Sequence, residues 1–260
     1  MSGLFDVDDA SVVVTGAASG LGFAMAEVMA DSGARVTLAD LDADGLEQAA
    51  GRLAGEVRTH RLDVSDADAV EELFAGVVET NGRVDVAFAN AGISIEPGVV
   101  DERGGLEALS LDTWRTVLGV NLDGVLFTMR EAARHMKPQG SGRIVVTAST
   151  AGFGTDPFVG YSYSVTKAGV IMLVRQAALE LAKHGVHVNA IAPGPFRTNI
   201  GSDAAPIPDE AWEEIVAFGR MAEPDELKGV ALLLASPASS FMTGAIVPVD
   251  GGQLLMSHGV

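Results

Sequence analysis

The chain has 260 residues, of which 48% are hydrophobic, and a formal net charge of −18 from 17 basic and 35 acidic side chains. This length and apolar content allow one or two domains with a full hydrophobic core and exclude extensive disorder. The acidic balance argues against nucleic acid, an anionic membrane or an acidic carrier protein as the main partner, because binding to phosphates requires clustered Lys and Arg side chains.

The chain contains no cysteine, which excludes disulfides, thiolate metal sites, iron–sulfur clusters and a cysteine nucleophile. Its five histidines form no metal-ligand pattern, and we predict no metal site. The first nine residues carry three aspartates and no basic side chain, so they do not resemble a secretory leader. No apolar run approaches the roughly 18 residues that a membrane span needs. These features predict a soluble, cytoplasmic protein.

Short runs rich in Val and Ile alternate with longer helical segments along the chain. Strands are predicted at Ser11–Thr15, Arg35–Ala39, Val57–Leu62, Val84–Ala89, Arg143–Ala148, Val186–Ala192 and Ala245–Val249. Helices are predicted at Leu21–Ser32, Ala43–Leu53, Ala67–Thr80, Leu111–Met136, Ser164–Lys183, Asp209–Phe218 and Pro224–Leu234. Evenly apolar runs are typical of strands that are buried on both faces. The alternation predicts an α/β fold with a doubly wound, mostly parallel seven-stranded sheet and helices on both faces.

No repeat, low-complexity tract or change of composition marks a linker, so we predict a single domain over residues 1–260. Two stretches inside it are rich in Gly and Pro. Ser94–Ser110 is predicted to be a long loop, and Asn199–Pro208 is predicted to be a mobile segment before a short helix. Long loops in such folds are often functional.

A glycine-rich turn, Thr15–Gly22, follows the first predicted strand and opens the first predicted helix. Gly16, Gly20 and Gly22 allow the backbone to turn sharply and to approach a pyrophosphate, and the helix N-terminus offers free N–H groups and the positive end of its dipole. A tight turn without a ligand explains the same cluster, but such sheets bind dinucleotides at this first strand–helix junction.

An acidic residue, Asp40, follows the second predicted strand, 20 residues after Gly20. A carboxylate at this place can accept hydrogen bonds from both hydroxyls of the adenosine ribose and repels a 2′-phosphate. The neighbouring Ala17, Ala18 and Leu41 supply no basic side chain for such a phosphate. The pattern therefore favours NAD over NADP, although Asp40 could instead cap the next helix.

Tyr163 and Lys167 are four residues apart, which places them on one face of the fifth long helix. A nearby ammonium favours the phenolate and lowers the tyrosine pKa, so the phenol can exchange a proton with an alcohol or a carbonyl. Tyr161 has no such partner, because Val165 lies four residues after it. An ordinary pair on a helix surface would have the same spacing.

Taken together, these residues resemble those of the short-chain dehydrogenase/reductase family in its single-domain form, over nearly the whole chain. Thr15–Gly22 matches the family's glycine turn, Asp40 its NAD-selecting acid, and Tyr163 with Lys167 its Y-x-x-x-K motif. The further matches, in chain order, are Asp63-Val64, Asn90-Ala91-Gly92, Asn121, Ser149, Pro193-Gly194 with Thr198, and Val249-Asp250-Gly251-Gly252. The resemblance implies a Rossmann-like fold.

The resemblance also implies reversible hydride transfer between NAD and a carbonyl/alcohol pair. Tyr163 would exchange a proton with the substrate oxygen, and Lys167 would bind the nicotinamide ribose and lower the tyrosine pKa. Ser149 would donate a hydrogen bond to the substrate oxygen, and Asn121 would hold a water that links Lys167 to bulk solvent. The implied cofactor-binding residues are Gly16, Ser19, Gly20, Leu21, Gly22, Asp40, Leu41, Asp63, Val64, Asn90, Ala91, Gly92, Tyr163, Lys167, Pro193, Gly194, Phe196 and Thr198.

Two departures from the family pattern affect this site. Ser149 lies 14 residues before Tyr163, where the family usually has 13, so Thr150 is an alternative for the active hydroxyl. We prefer Ser149 because the strand that leads to it aligns without a gap. Phe196 replaces a common Val or Ile and would narrow the nicotinamide end of the pocket.

The family alone does not choose a substrate. The predicted pocket walls are apolar to mixed in character, and residues 199–218 are predicted to form a mobile segment that covers the substrate. These wall residues are Ser94, Phe153, Phe158, Phe196, Ile200 and Trp212. We expect a small or medium secondary alcohol or its ketone, with a sugar or polyol as an alternative.

A protein of a different class, an NAD-binding regulator or scaffold with little turnover, is a competing hypothesis. The set of Asn121, Ser149, Tyr163 and Lys167 argues against it, because a binding module does not need all four side chains. Family members are commonly oligomers, so we expect a homo-oligomer, either a dimer or a tetramer.

Overall fold

The structure is a computed structural model that describes residues 3–200 and 208–256. Its centre is a sheet with the strands β1 (Ser11–Thr15), β2 (Arg35–Asp40), β3 (Val57–Arg61), β4 (Val86–Ala89), β5 (Gly142–Thr147), β6 (Val186–Pro193) and β7 (Ile246–Val249). The strands lie in the order β3-β2-β1-β4-β5-β6-β7, and each neighbouring pair is parallel. The predicted seven-stranded parallel sheet is therefore confirmed.

Helices cover both faces of this sheet. The α-helices of the described residues are α1 (Gly20–Asp31), α2 (Ala43–Ala50), α3 (Ala67–Asn81), α4 (Leu111–Leu118), α5 (Gly124–Gln139), α6 (Tyr161–Leu181), α7 (Asp209–Glu214), α8 (Lys228–Ala235) and α9 (Gln253–Met256). Buried side chains of α1, α2 and α8 pack on one face, and those of α3, α5 and α6 pack on the other. Within β1, Val12 and Val14 belong to the first layer and Val13 to the second, because successive strand residues point to opposite faces.

Polar residues and glycines set several helix ends. The Asp66 side chain caps α3 by accepting hydrogen bonds from the backbone N–H groups of Asp68 and Ala69. Gly33 follows α1 with a φ of +86°, and Gly185 follows the turn after α6 with a φ of +71°. Glycine is favoured at such left-handed positions, so these two residues end their helices.

The structure interrupts the single helix predicted at Leu111–Met136. A five-residue π-helical turn, Gly119–Asp123, separates α4 from α5. A pattern of apolar residues does not distinguish a π turn from continuous α-helix, which is why the sequence missed it. Two other helices are shorter than predicted: α7 ends at Glu214, and a 3₁₀ turn at Pro224–Leu227 precedes α8.

The loop predicted at Ser94–Ser110 contains two short 3₁₀ turns, Glu102–Gly104 and Leu106–Ala108. Within it, Pro97 forms an isolated antiparallel bridge with Val159. The predicted mobile segment over 199–218 cannot be compared over its full length, because residues 201–207 lie outside the described ones. Within residues 3–200 and 208–256, no helix combines the length and the apolar character that crossing a membrane requires.

The sheet order determines where a ligand can bind. From β1 the chain proceeds outward to β2 and β3, and then returns to the other side of β1 to form β4. The connections on the two sides therefore leave in opposite directions, which opens a crevice at the carboxyl ends of β1 and β4. The glycine turn after β1 and Asn90 after β4 lie at this crevice.

Candidate active site

A cavity of about 450 Å³ opens at this crevice. Three of the four predicted catalytic residues line it, namely Ser149, Tyr163 and Lys167, whereas Asn121 follows the lining residue Val120. All of the predicted cofactor-binding residues line the same cavity: Gly16, Ser19, Gly20, Leu21, Gly22, Asp40, Leu41, Asp63, Val64, Asn90, Ala91, Gly92, Tyr163, Lys167, Pro193, Gly194, Phe196 and Thr198. The fold thus brings together residues from six separate parts of the sequence.

The glycines of this turn pack so closely against neighbouring backbone that a side chain would not fit. Gly16 has a φ of +67°, and a Cβ on it would lie 2.7 Å from the Cα of Ala91. A Cβ on Gly22 would lie 2.0 Å from the carbonyl oxygen of Gly16. Ser19, which precedes α1, makes no capping hydrogen bond through its side chain, and the first turn of α1 has no acidic residue. The N–H groups of the first turn of α1 are therefore available to an anion, which fits the pyrophosphate of a dinucleotide.

Asp40 lies at the end of β2, with its carboxylate fixed by the backbone. Its Oδ2 accepts a hydrogen bond from the N–H of Ala18 at 3.0 Å, and its Oδ1 accepts one from the N–H of Asp42 at 3.1 Å. The alternative that Asp40 caps the next helix is wrong, because Asp42 caps α2 by accepting from the N–H of Gly45. Asp40 instead contributes its negative charge to the cavity wall.

Asn90 connects the ends of three strands through its side chain. Its Nδ2 donates to the carbonyl oxygens of Thr15 and Gly16 at 3.0 and 3.1 Å. Its Oδ1 accepts from the Thr147 hydroxyl at 2.9 Å. Since these residues end or follow β1 and β5, Asn90 holds the glycine turn against the centre of the sheet.

Tyr163 lies in the first turn of α6, opposite Ser149, which follows β5. Burial raises the pKa of the Tyr163 phenol above its usual value, while a hydrogen bond with the Ser149 side chain opposes this effect. The negative charge of Asp156 raises the pKa further, since it disfavours the phenolate. The phenol is therefore held in its protonated form at neutral pH.

Lys167 lies one helical turn after Tyr163 and is 2% exposed. Its Nζ donates to the carbonyl oxygen of Thr147 at 2.8 Å and lies 5.5 Å from the centroid of the Tyr163 ring. Burial lowers the pKa of Lys167 to about 8. Burial is thus the largest influence on the pKa of both groups, and the expectation that Lys167 lowers the tyrosine pKa stays a prediction.

Asn121 lies in the π turn and is fully buried. Its Nδ2 donates to the carbonyl oxygen of Ile93, and its Oδ1 accepts from the N–H of Ile93, both at 2.8 Å. The same Nδ2 lies 3.4 Å from the Thr166 hydroxyl oxygen on α6. The side chain therefore fixes one wall of the cavity, and the predicted role in holding a water stays a prediction.

The structure favours Ser149 over Thr150 as the active hydroxyl. Ser149 lines the cavity, whereas Thr150 does not. The Thr150 hydroxyl lies 2.9 Å from Oε1 of Gln253 and 3.2 Å from the carbonyl oxygen of Pro193. Thr150 thus connects the end of β6 to α9, and its hydroxyl is occupied by these contacts.

Comparison with known proteins agrees with this geometry. A family model described as Enoyl-(Acyl carrier protein) reductase matches residues 16–253. Meso-2,3-butanediol dehydrogenase of Serratia marcescens is 37% identical over 246 residues, which cover 94% of this chain and 94% of that protein. The chain belongs to the short-chain dehydrogenase/reductase family.

Other members of this family show the same relationship. Galactitol 2-dehydrogenase (L-tagatose-forming) of Cereibacter sphaeroides is 38% identical over 255 residues, which cover 96% of both chains. The crystal structure of a short-chain type dehydrogenase/reductase from Mycobacterium marinum matches with a TM-score of 0.88 and 34% identity, over 96% of this chain and 97% of that one. The protein is thus an oxidoreductase of the alcohol dehydrogenase type with a Rossmann-like fold, and its family binds nicotinamide cofactors.

Only some of the residues predicted to form the substrate pocket line this cavity. Ser94, Phe196 and Ile200 line it, but Phe153, Phe158 and Trp212 do not. The rings of Phe158 and Trp212 pack against each other with centroids 4.9 Å apart, and Phe153 is 43% exposed. The loop that carries the two phenylalanines packs toward Pro97, and a contact of these three aromatic residues with the substrate stays a prediction.

Sequence reasoning missed several residues of the site. Thr147 accepts from Lys167 through its carbonyl oxygen, and Ile95 adds apolar surface beside Ser94. Only position could have identified Thr147, since the last residue of a central strand lies at the crevice whatever its type.

Proposed function

We propose that this protein is an NAD-dependent enzyme that interconverts a small or medium secondary alcohol and its ketone by hydride transfer. The observation that carries the proposal is that Ser149, Tyr163 and Lys167 line the same cavity as the glycine turn and Asp40. When bound, the nicotinamide cofactor supplies the acceptor or donor of the hydride. The chain itself supplies the groups that bind the substrate oxygen and move its proton.

Tyr163 acts as the general acid/base in this proposal. In the reductive direction, its protonated phenol donates a proton to the oxygen of the ketone, and in the oxidative direction, the phenolate accepts the proton of the alcohol. Ser149 donates a hydrogen bond to the same oxygen and stabilises its developing negative charge. Lys167 binds the hydroxyls of the nicotinamide ribose, and Asn121 fixes the wall that faces them.

The raised pKa of Tyr163 gives the two directions opposite pH dependence. Reduction needs the protonated phenol, which is present at neutral pH, so its rate falls only as the pH approaches the tyrosine pKa. Oxidation needs the phenolate, so its rate rises toward alkaline pH. The two profiles, measured on one alcohol/ketone pair, test this assignment.

The carboxylate of Asp40 supports NAD over NADP. Its two oxygens accept from backbone N–H groups, which hold the negative charge in place where a 2′-phosphate would lie. Among the described residues that line the cavity, Lys167 is the only one with a Lys or Arg side chain, and its Nζ donates to Thr147. We therefore expect a marked preference for NAD.

The walls near Tyr163 favour a neutral substrate. Ile93, Ile95, Phe196 and Ile200 provide apolar contacts, while Ser94 provides a hydroxyl group. The lack of a free cation in this described lining disfavours carboxylates and phosphates, and the net charge of −18 disfavours an acidic carrier protein. A diol or sugar polyol is the second candidate class, because two relatives are named for butanediol and galactitol.

A panel of secondary alcohols, diols and polyols with NAD and NADP, and of the matching ketones with NADH and NADPH, tests the proposal through the nicotinamide absorbance. Turnover with NAD on an alcohol of the panel supports it. NADH binding without turnover on every member favours the regulator or scaffold. Best turnover on an acyl-carrier thioester contradicts the substrate class.

We also propose that the protein is a homo-oligomer. Val165, Met172 and Leu179 are exposed on one stripe of α6, at 49%, 59% and 78%, and an apolar stripe of this kind is typical of a subunit contact. Sedimentation tests this proposal. The covering role of residues 199–218, the single domain over 1–260 and the cytoplasmic location stay predictions.

A further inference from the structure

Glu96 contacts the first turn of α6 from the loop that follows β4. Its Oε2 accepts a hydrogen bond from the backbone N–H of Ser162 at 3.2 Å and a second, short one from the Ser162 hydroxyl. Ser162 is 1% exposed and directly precedes Tyr163. The carboxylate therefore contacts the residue next to the proposed general acid/base.

α6 has no capping side chain of its own, because the residue before it is Gly160. Glu96, 66 residues from Ser162 in the sequence, supplies the missing acceptor. Its negative charge lies at the positive end of the helix dipole, where a carboxylate is favoured. The approach is close: a Cβ on Gly160 would lie 2.5 Å from the Cβ of Glu96, so a larger residue there would displace the carboxylate.

The segment that ends at Glu96 is also a wall of the cavity. Ile93, Ser94 and Ile95 line it. At the start of the segment, Ile93 is held by its two hydrogen bonds with Asn121. At its end, Glu96 holds α6. The cavity wall and the helix that carries Tyr163 are thus fixed to each other.

A contribution to stability does not by itself explain why a carboxylate is present at position 96. Its second oxygen, Oε1, is buried and has no hydrogen-bond partner among the described residues. A buried acceptor without a partner lowers the stability of a fold, so its presence in Glu96 calls for an explanation. Since the other oxygen contacts Ser162, the function to consider is the placement of the neighbouring tyrosine.

We propose that Glu96 is a positioning residue for Tyr163. Through Ser162 it fixes the first turn of α6, so that the Tyr163 hydroxyl stays beside Ser149 and facing the wall of residues 93–95. The inference rests on the proposed role of Tyr163 in proton transfer. A small displacement of that turn separates the phenol from the substrate oxygen, and displacements of about 1 Å can reduce turnover about a hundredfold.

The test compares Glu96→Ala with Glu96→Gln and Ser162→Ala. Glu96→Ala removes both hydrogen bonds, and we expect its kcat to fall about tenfold to a hundredfold while the Kd for NADH, measured by fluorescence, stays unchanged. Glu96→Gln keeps an acceptor oxygen and should retain most of the kcat. Ser162→Ala removes the hydroxyl part of the contact and keeps the backbone part, so it should give a smaller loss in the same direction, which keeps the test decisive if Glu96→Ala does not fold.

Asp66→Ala is the matched control, because it removes a carboxylate cap from α3 without a contact to α6. It should lower the melting temperature and keep the kcat at saturating cofactor. A wild-type kcat in Glu96→Ala, or an equal loss of kcat in Asp66→Ala, would overturn the proposal.

Amide hydrogen exchange over residues 161–167 gives a readout that does not depend on turnover. We expect faster exchange in Glu96→Ala than in wild type or Glu96→Gln. If the wild-type protein turns over no alcohol, the proposed function fails, and the exchange still shows whether Glu96 orders this turn. Unchanged exchange in Glu96→Ala, or faster exchange with an unchanged kcat, contradicts the positioning role.

Discussion

At the end of the cavity that contains the glycine turn and Asp40, the chain offers mainly backbone groups and a single fixed charge. At the end that contains Tyr163 and Lys167, it offers side chains whose charge states depend on burial. The first end is built from neighbouring residues after β1 and β2. The second is assembled from β5, α6 and the loop after β4. Local sequence motifs therefore suffice to identify the first end, whereas the charge states of the side chains at the second end depend on how the chain folds around them.

The sharpest test of this contrast removes the phenolic hydroxyl at the second end. Tyr163→Phe should lower alcohol oxidation and ketone reduction by about a hundredfold to ten-thousandfold, because the proton loses its donor and acceptor. The Kd for NADH should remain near the wild-type value, since the glycine turn and Asp40 are untouched. Steady-state kinetics and cofactor fluorescence measure both. Undiminished turnover would remove Tyr163 from the mechanism.

The next prediction concerns the free energy of unfolding, which the burial of Lys167 lowers. Its pKa is about 8 in the folded chain and 10.5 when unperturbed. Between these values the unfolded chain binds more protons than the folded one, so the free energy of unfolding rises with pH. The full rise is on the order of 3 kcal/mol.

Lys167→Met should lack this rise, and the exposed Lys183→Met should retain it. The free energy of unfolding, measured with a denaturant at several pH values between roughly 7.5 and 10, checks this. This range covers most of the interval between the two pKa values. Equal slopes in Lys167→Met and wild type would show that the lysine is not desolvated.

A smaller effect is expected at the first end. Asp40→Ala should shift the ratio of kcat/KM for NAD over NADP toward NADP by about tenfold to a hundredfold, because the charge that opposes a 2′-phosphate is gone. Asp44→Asn, on the exposed first turn of α2, removes a nearby charge that does not line the cavity and should leave the ratio unchanged. A constant ratio in Asp40→Ala would assign cofactor choice to other residues.

The smallest effect separates two adjacent hydroxyls. Thr150→Val should cost about 1 kcal/mol of unfolding free energy through the lost contacts with Gln253 and Pro193, and should keep most turnover. Ser149→Ala should do the reverse, with little change in stability and a large loss of kcat. Thermal unfolding and steady-state kinetics of both variants distinguish the two hydroxyls. A large loss of kcat in Thr150→Val with little loss in Ser149→Ala would make Thr150 the active hydroxyl.

The contrast also explains how much of the fold and of the candidate site can be predicted from the sequence. The seven strands follow from their apolar runs, because burial on both faces leaves an evenly hydrophobic pattern. Much of the cavity lining follows from the motifs, since most of them lie at the carboxyl ends of strands. The substrate walls follow less directly, because the path of a loop depends on what it packs against, and Phe158 and Trp212 pack on each other. Spacing along a helix shows that Lys167 is near Tyr163 but not how deeply the two groups are buried.

The π turn at Gly119–Asp123 has a consequence for the evolution of this chain. A π turn accommodates one residue more than an α-helical turn does. Deleting one residue there would restore a continuous helix and rotate one half against the other by about 100°. Asn121 would then turn away from Ile93, and the wall beside Tyr163 would lose its anchor. Natural variants of this protein should therefore vary in length at their loops and termini, and not within these five residues.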